Sequence, residues 1–230
     1  MGMIKTAEEL LNISKAATIG DITYEHILGF IREGMTEIQV SDEIEKTLRK
    51  LGATDLAFPT IVVSGSRTWE MHGEPTDKVI EKGDLVTMDF GGIYRGQCGD
   101  MTRTVGIGKL NEEQIKIYNI VKESQEKALK ACMAGVMSQE IDTIARNVIK
   151  EAGYGEFFVH GTGHGVGVEV HEEPYLNTRT NTRLEENMAV TVEPGIYLPD
   201  RMGVRIEDLA IITDFGIINL VNSPKNLILL

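Results

Sequence analysis

Three of the five histidines lie within twelve residues, at His160, His164 and His171. The chain between them is rich in glycine, which lets backbones approach closely and suits a crowded site better than a solvated surface. A single histidine is more often a structural residue, whereas three in one short glycine-rich strand indicate a functional site.

Four acidic residues lie in or beside apolar stretches, where an unpaired charge is costly. They are therefore candidate metal ligands beside the histidines. These residues are Asp89, Asp100, Glu193 and Glu207. A turn around residues 94–96 predicts that the two aspartates lie close together on adjacent antiparallel strands. Any one acid could be a salt-bridge partner, and that is our interpretation of the neighbouring Asp208. With His164, however, the four acids predict an oxygen-rich shell with one nitrogen that shares two divalent ions.

The composition excludes several other classes of function. A net charge of -12 argues against nucleic-acid binding, which needs clustered lysine and arginine. The negative net charge has two explanations: it keeps the protein soluble, or it reflects carboxylates that bind metal ions. Cys98 and Cys132 have neither metal-binding nor redox spacing, and nothing in the sequence requires a disulfide. Without an apolar signal segment or a membrane-spanning run, we expect a cytoplasmic protein that does not contact the membrane.

Helical and extended segments can be placed from periodicity and capping residues. Apolar spacing predicts a helix over residues 7–32, and a capping box at Thr36 and Gln39 begins a second helix that stops at Gly52. Residues 58–64 and 85–94 are predicted strands, because valine, isoleucine and threonine dominate them. In the second part of the chain, Asn111 begins a helix that runs to about Met133.

The two parts of the chain resemble each other at an offset of 101 residues. Gly34 and Gly52 are 18 residues apart, as are Gly135 and Gly153, and apolar positions inside the intervals match. Two helical hairpins can resemble each other by chance, which is the alternative explanation. A true repeat predicts a single domain over residues 1–230, with pseudo-symmetric halves near 5–108 and 109–230. A site would then lie in the groove between the halves.

The order of the five ligands resembles the dinuclear site of the pita-bread metallopeptidases. That family includes Xaa-Pro dipeptidase (prolidase), aminopeptidase P, methionine aminopeptidase and the metal-free creatinase. The ligands concerned are Asp89, Asp100, His164, Glu193 and Glu207. The resemblance covers residues 5–230 and implies an α+β pita-bread fold. Such a fold has two pseudo-symmetric αβ halves, with antiparallel sheet inside and helices outside.

The proline-specific branch is the closer resemblance. Segment 171–174 looks like methionine aminopeptidase, but Thr162 and Gly195 stand where that branch usually has cysteine and methionine. His72, His160 and the segment 205–208 resemble the proline branch. Two features depart from it. Its members usually carry an additional amino-terminal domain, and some dipeptidases have arginine where Tyr175 stands; Arg179 or Arg183 could replace that arginine.

Roles for the individual residues follow from the resemblance. Asp100 and Glu207 would bridge both metals, Asp89 would complete one, and His164 with Glu193 the other. The resemblance also makes Glu193 the group that accepts the proton of the attacking water. Around this shell, His171 would stabilise the oxyanion. His72 and His160 would line the pocket for the residue after the cut, and His72 would join Glu193 and His171 as a catalytic residue. Arg205 would steady the site and the substrate.

We therefore expect a dinuclear metal-dependent exopeptidase that cuts near the amino terminus of short peptides, at Xaa-Pro bonds. The ligand set suits Mn²⁺, with Co²⁺, Fe²⁺ and Zn²⁺ as alternatives. A methionine aminopeptidase-like enzyme and a catalytically idle binding protein of the same fold are the alternative functions. Relatives with the additional domain use it in dimer formation, so the sequence leaves open whether this chain forms a homodimer.

Overall fold

The computed structural model of the protein describes residues 2–230. The helices are α1 (Ala7–Phe30), α2 (Glu37–Lys50), α3 (Glu112–Ala131) and α4 (Ser138–Glu151). The strands are β1 (Asp55–Leu56), β2 (Ile61–Ser64), β3 (Leu85–Phe90), β4 (Gly92–Tyr94), β5 (Gln97–Cys98), β6 (Met101–Gly106), β7 (Gly163–Gly165), β8 (Glu172–Leu176), β9 (Ala189–Val192), β10 (Gly195–Leu198), β11 (Met202–Arg205), β12 (Asp208–Thr213) and β13 (Gly216–Asn219). Short 3-10 helices cover Gly65–Trp69 and Gly155–Phe157.

Side-chain caps mark where α1, α2 and α3 begin. The Thr36 hydroxyl accepts a hydrogen bond from the amide of Gln39, and the Gln39 side chain accepts one from the amide of Thr36. This confirms the predicted capping box. Helices α1 and α3 end two residues before their predicted ends, because Ile31 and Cys132 adopt extended backbone angles.

Helices α2 and α4 have the same length, 14 residues, and begin 101 positions apart, as the matched glycine spacing predicts. Gly34 and Gly135 precede them with φ of 89° and 94°, in the left-handed region that favours glycine. Their matched apolar stripes are fully buried: Val40, Leu48, Ile141 and Ile149. The division of the single domain into two halves near residue 108 stays a prediction.

The sheets are antiparallel, as the fold class predicts. A three-stranded sheet has the order β2-β3-β6, and a five-stranded sheet has the order β13-β12-β9-β7-β8. Smaller sheets are formed by β1-β4-β5 and by β10-β11. Two apolar cores lie beside the sheets, one built mainly on α1 and α2 and the other mainly on α3 and α4. None of the helices in the described chain combines the length and apolar character needed to cross a bilayer.

Two predicted strands are shorter than their sequence patterns. Residues 85–94 divide at Gly91, where a Cβ atom would lie 1.8 Å from the carbonyl oxygen of Gly99. The chain can therefore bend close to its neighbour only without a side chain at this position. The predicted strand 58–64 begins only at Ile61, because Pro59 lacks the amide hydrogen that a ladder needs.

Candidate metal centre

The five predicted ligands lie at or next to strand ends that meet around one cavity of about 700 Å³. They occupy β3, the residue before β6, β7, the residue after β9, and the link between β11 and β12: Asp89, Asp100, His164, Glu193 and Glu207. One correction concerns the aspartates, because Asp100 precedes its strand and the residue opposite Asp89 is Thr102. The two strands are nevertheless adjacent and antiparallel, as predicted.

Three of the five predicted ligands form a compact group. Asp100, His164 and Glu207 each offer a ligand atom, and these atoms all lie within 4.8 Å of one another. His164 Nε2 also lies 3.0 Å from Glu193 Oε1 and 3.6 Å from Asp100 Oδ2. These residues can therefore hold a cation between them.

The environment of His164 fits a metal ligand. Its Nδ1 lies 3.0 Å from the carbonyl oxygen of Gly165, which can only accept, so Nδ1 carries the proton. Burial lowers the pKa of His164, but the hydrogen bond and the charge of Glu193 raise it above its usual value, so without metal the protonated ring is favoured and Nε2 faces the carboxylates of Asp100 and Glu193. A bound metal would take the place of that proton on Nε2. Asp89 Oδ1 is buried and has no hydrogen-bond partner among residues 2–230. A cation satisfies these groups together, and the oxygen-rich set with one imidazole suits a divalent ion such as Mn²⁺.

The pKa values show that, when no metal is bound, the buried carboxylates of the site are only partly compensated by positive charge. Burial raises the pKa of Asp100 well above its usual range, and the charges of Glu207 and Asp89 add to the effect. Burial also raises the pKa of Glu207 well above its usual range, and the charges of Glu193 and Asp89 add to the effect. Burial would also raise the pKa of Glu193, but the hydrogen bond and charge of His164 lower it to about 2. Crowded buried carboxylates of this kind are the arrangement that divalent cations compensate.

Arg205 and Thr102 form hydrogen bonds that orient two of the predicted ligands, Asp89 and Glu207. Arg205 donates through Nη2 to Asp89 at 2.6 Å and through Nε to the Thr102 hydroxyl at 3.2 Å. That hydroxyl donates in turn to Glu207 Oε2 at 2.7 Å. The Arg205 side chain is buried beside the ligands and also lines the cavity. Such partners fix the orientation of metal ligands, while a contact between Arg205 and substrate stays a prediction.

Tyr197 is a site residue that the sequence did not indicate. Its hydroxyl accepts a hydrogen bond from Arg205 Nη1 at 2.9 Å and lies 2.8 Å from His160 Nε2. His160 Nδ1 faces the carbonyl of Gly161 at 2.7 Å and must donate, so Nε2 accepts from Tyr197. In sequence, Tyr197 stands in an apolar strand and resembles a core residue. The one available signal was that a buried tyrosine hydroxyl needs a partner.

The three clustered histidines do not share one strand, which corrects the sequence interpretation. Only residues 163–165 form a strand, and His160 and His171 lie in the loops on either side. His171 is exposed within the site region, with its ring 4.3 Å from the ring of His164. Partial burial lowers the pKa of His171, and the charge of the neighbouring His164 lowers it further. His72 lies on a separate loop, and all four histidines line the same cavity.

We expect metal to stabilise the protein more strongly as pH rises. Asp100 and Glu207 have raised pKa values, so they are protonated at low pH and ionise only well above their ordinary values of 3.8 and 4.5. Ionisation without metal destabilises the fold and at the same time improves metal affinity. The increase in melting temperature on adding Mn²⁺ should therefore grow between about pH 5 and pH 8. Scanning calorimetry at fixed ionic strength measures it, and a constant increase would contradict this account.

The chain belongs to Metallopeptidase family M24, whose model matches residues 12–214. It is 44% identical over 226 residues to the Xaa-Pro dipeptidase of Pyrococcus furiosus. Among solved structures, Xaa-Pro dipeptidase from Bacillus anthracis is 50% identical, with a TM-score of 0.98 over 99% of this chain and 64% of that one. X-Pro aminopeptidase from Thermotoga maritima MSB8 is 42% identical, with a TM-score of 0.96 over 99% of this chain and 64% of that one.

These similarities confirm the predicted family and the pita-bread fold. The alignment with the Pyrococcus furiosus protein covers 98% of this chain and 65% of that protein. The chain thus spans about two thirds of the length of the relatives it matches.

Proposed function

We propose that this chain is the catalytic part of a metal-dependent exopeptidase that cleaves Xaa-Pro bonds at the amino terminus of short peptides. The observation that carries the proposal is the convergence of the buried ligands and the histidines on one cavity. Relatives named Xaa-Pro dipeptidase and X-Pro aminopeptidase, at 42–50% identity, support the proline branch.

The proposed holders of the metal are the five residues that the sequence indicated: Asp89, Asp100, His164, Glu193 and Glu207. Two bound divalent cations supply Lewis acidity, which polarises a carbonyl group and lowers the pKa of water. We propose Mn²⁺ as the native metal, with Co²⁺, Fe²⁺ and Zn²⁺ as alternatives, because the donor set is mostly oxygen with one imidazole.

The remaining residues have distinct proposed roles around a bound peptide. Glu193 lines the cavity beside His164, where its carboxylate is placed to accept a proton during the attack on the scissile carbonyl. His171, whose pKa is lowered, is neutral and can donate a hydrogen bond to the oxygen that becomes negative. His72 and His160 would flank the residue after the cleaved bond. Because both nitrogens of His160 are engaged, its ring would contribute mainly shape.

We also propose a cytoplasmic location. Cys98 and Cys132 are both free and buried, with pKa values that burial raises to about 11 and 12. Buried thiols of this kind suit a reducing compartment.

Peptide assays with controlled metal content test the proposed function. The protein is stripped with a chelator, reloaded with Mn²⁺ or Co²⁺, and offered Ala-Pro, Ala-Pro-Ala and Met-Ala-Ser in parallel. We expect cleavage of the proline peptides that depends on added metal. The ratio of dipeptide to tripeptide cleavage then separates dipeptidase from aminopeptidase P activity. Cleavage of Met-Ala-Ser alone would assign the methionine branch, and a protein that binds no stoichiometric metal would support an idle binding protein.

A further inference from the structure

Glu37 is a buried carboxylate with no contact to the metal ligands. It is the first residue of α2, where the helix dipole favours negative charge, and its side chain is fully buried. Oε1 accepts from the Ser64 amide at 2.7 Å and from the Ser64 hydroxyl at 2.9 Å. Oε2 accepts from the Thr76 amide at 3.0 Å, from its hydroxyl at 2.8 Å, and from Arg67 Nη1. Glu37 therefore ties the end of β2 to a point twelve residues further along the chain.

The chain between these tied points carries His72. Arg67 donates through Nη2 to Glu70 at 2.8 Å and to the carbonyl oxygen of Glu74 at 3.0 Å, on either side of the histidine. At Gly73, a Cβ atom would lie 2.6 Å from the Val63 side chain, so the loop packs tightly on β2. His72 is itself exposed and lines the cavity. Its position consequently depends on the Glu37–Arg67 pair that holds its backbone.

The second half has a corresponding arrangement on the matching helix. Asp142 of α4 is fully buried, and its Oδ1 accepts from the amide and hydroxyl of Thr162 at 3.1 and 2.9 Å. Arg146 pairs with Asp142 through Nε and Nη2 at 3.0 and 2.9 Å. Arg146 also donates to the carbonyl oxygens of Phe158 and His160, each at 2.8 Å. This pair holds the loop that carries the second pocket histidine.

We propose that Glu37 and Asp142 are positioning residues, one in each half, that act through the histidines of the substrate pocket. With Arg67, Glu37 fixes the loop of His72. With Arg146, Asp142 fixes the loop of His160. This inference rests on the proposed function, because it assigns the two histidines to the binding of the peptide.

The substitution Glu37→Gln tests the first pair while preserving the shape of the side chain. An amide cannot accept hydrogen bonds on both sides, so its NH₂ group would face donors from Ser64 or from Thr76 and Arg67. The loop should loosen and kcat/KM for Ala-Pro-Ala should fall about 10- to 100-fold, because small displacements of positioning groups have such effects. Bound metal should remain at the wild-type amount.

A double-mutant cycle with His72→Ala distinguishes positioning from general destabilisation. If Glu37 acts through His72, the Gln substitution should have little further effect once the imidazole is absent. Independent, multiplicative losses in the double variant would overturn the proposal. Glu43→Gln is the matched control on the same helix, since Glu43 pairs only with the exposed Lys46 and His26. It should retain wild-type activity.

Hydrogen exchange measured by mass spectrometry supplies a readout that needs no substrate. Peptides covering residues 65–77 should exchange faster in Glu37→Gln than in wild type or Glu43→Gln, and unchanged exchange would overturn the proposal. If wild type cleaves no proline peptide while exchange rises as expected, the proposed function fails and the loop restraint stands. Should Glu37→Gln not fold, Thr76→Val removes one hydroxyl donor and should show the same effects in weaker form. Asp142→Asn with His160→Ala forms the corresponding cycle.

Discussion

Replacing Asp100 with asparagine should abolish activity and yet raise the stability of the metal-free protein. Asp100 belongs to the compact ligand group, so the variant should lose stoichiometric metal binding. Without the Lewis acidity of the cations, kcat/KM should fall by about 10³-fold or more, equivalent to about 4 kcal/mol. Metal analysis of purified protein and peptide kinetics measure both effects.

The opposite effect on stability follows from the raised pKa of Asp100, which burial and the charges of Glu207 and Asp89 produce. A carboxyl group with a raised folded-state pKa destabilises the fold at every pH where it ionises, and asparagine removes that charge. The melting temperature of the metal-free variant should therefore exceed that of metal-free wild type at about pH 8. Asp55→Asn, at an exposed position, should leave both activity and melting temperature unchanged. A metal-free Asp100→Asn protein less stable than wild type would contradict the charge argument.

Asp208→Ala should cause a large loss of stability, because Asp208 belongs to a fully buried ion pair. Asp208 and Arg103 are both fully buried, with 2.7 Å between Asp208 Oδ1 and Arg103 Nη2. Removing one partner leaves an uncompensated buried charge, at a typical cost of about 3–5 kcal/mol. For a chain of this size, the melting temperature should fall by roughly 10 °C, which calorimetry or circular dichroism measures.

The same variant should bind metal more weakly, because Arg103 also donates to the carbonyl oxygen of Glu207, a proposed ligand. The matched control is Glu113→Ala, which breaks the exposed pair with Arg201 and should cost less than about 1 kcal/mol. Equal losses in the two variants would contradict the importance of burial. Asp208 thus lies in a salt bridge, as its sequence context indicated, and Lys225 is a second partner at 2.7 Å.

The candidate metal ligands could be singled out from the sequence because their residue types are informative on their own. A carboxylate such as Asp89 inside an apolar strand requires a compensating charge, whatever the details of the fold. The order of the ligands then indicated the family, and the capping box at Thr36 marked the start of a helix. The antiparallel β3 and β6 followed from the apolar composition and the turn at residues 94–96.

Features that depend on distant contacts could not be predicted. Tyr197 has the same sequence context as a core aromatic residue, and only the fold brings its hydroxyl to His160 and Arg205. Glu37 looked like an ordinary acidic residue in a first helical turn, because the residues that donate to it lie 27 to 39 positions away. The bend at Gly91 likewise arises from the close approach of residue 99.

The ligand positions have one further consequence for the folding of the chain. Asp89 and Asp100 come from the first half and His164, Glu193 and Glu207 from the second, so an ion held by both groups is a non-covalent cross-link. Such a link closes a long loop and restricts the unfolded ensemble. The two hydrophobic cores should consequently melt in a single transition when metal is bound. A chelator should then remove the cross-link between the two cores together with the proposed catalytic activity.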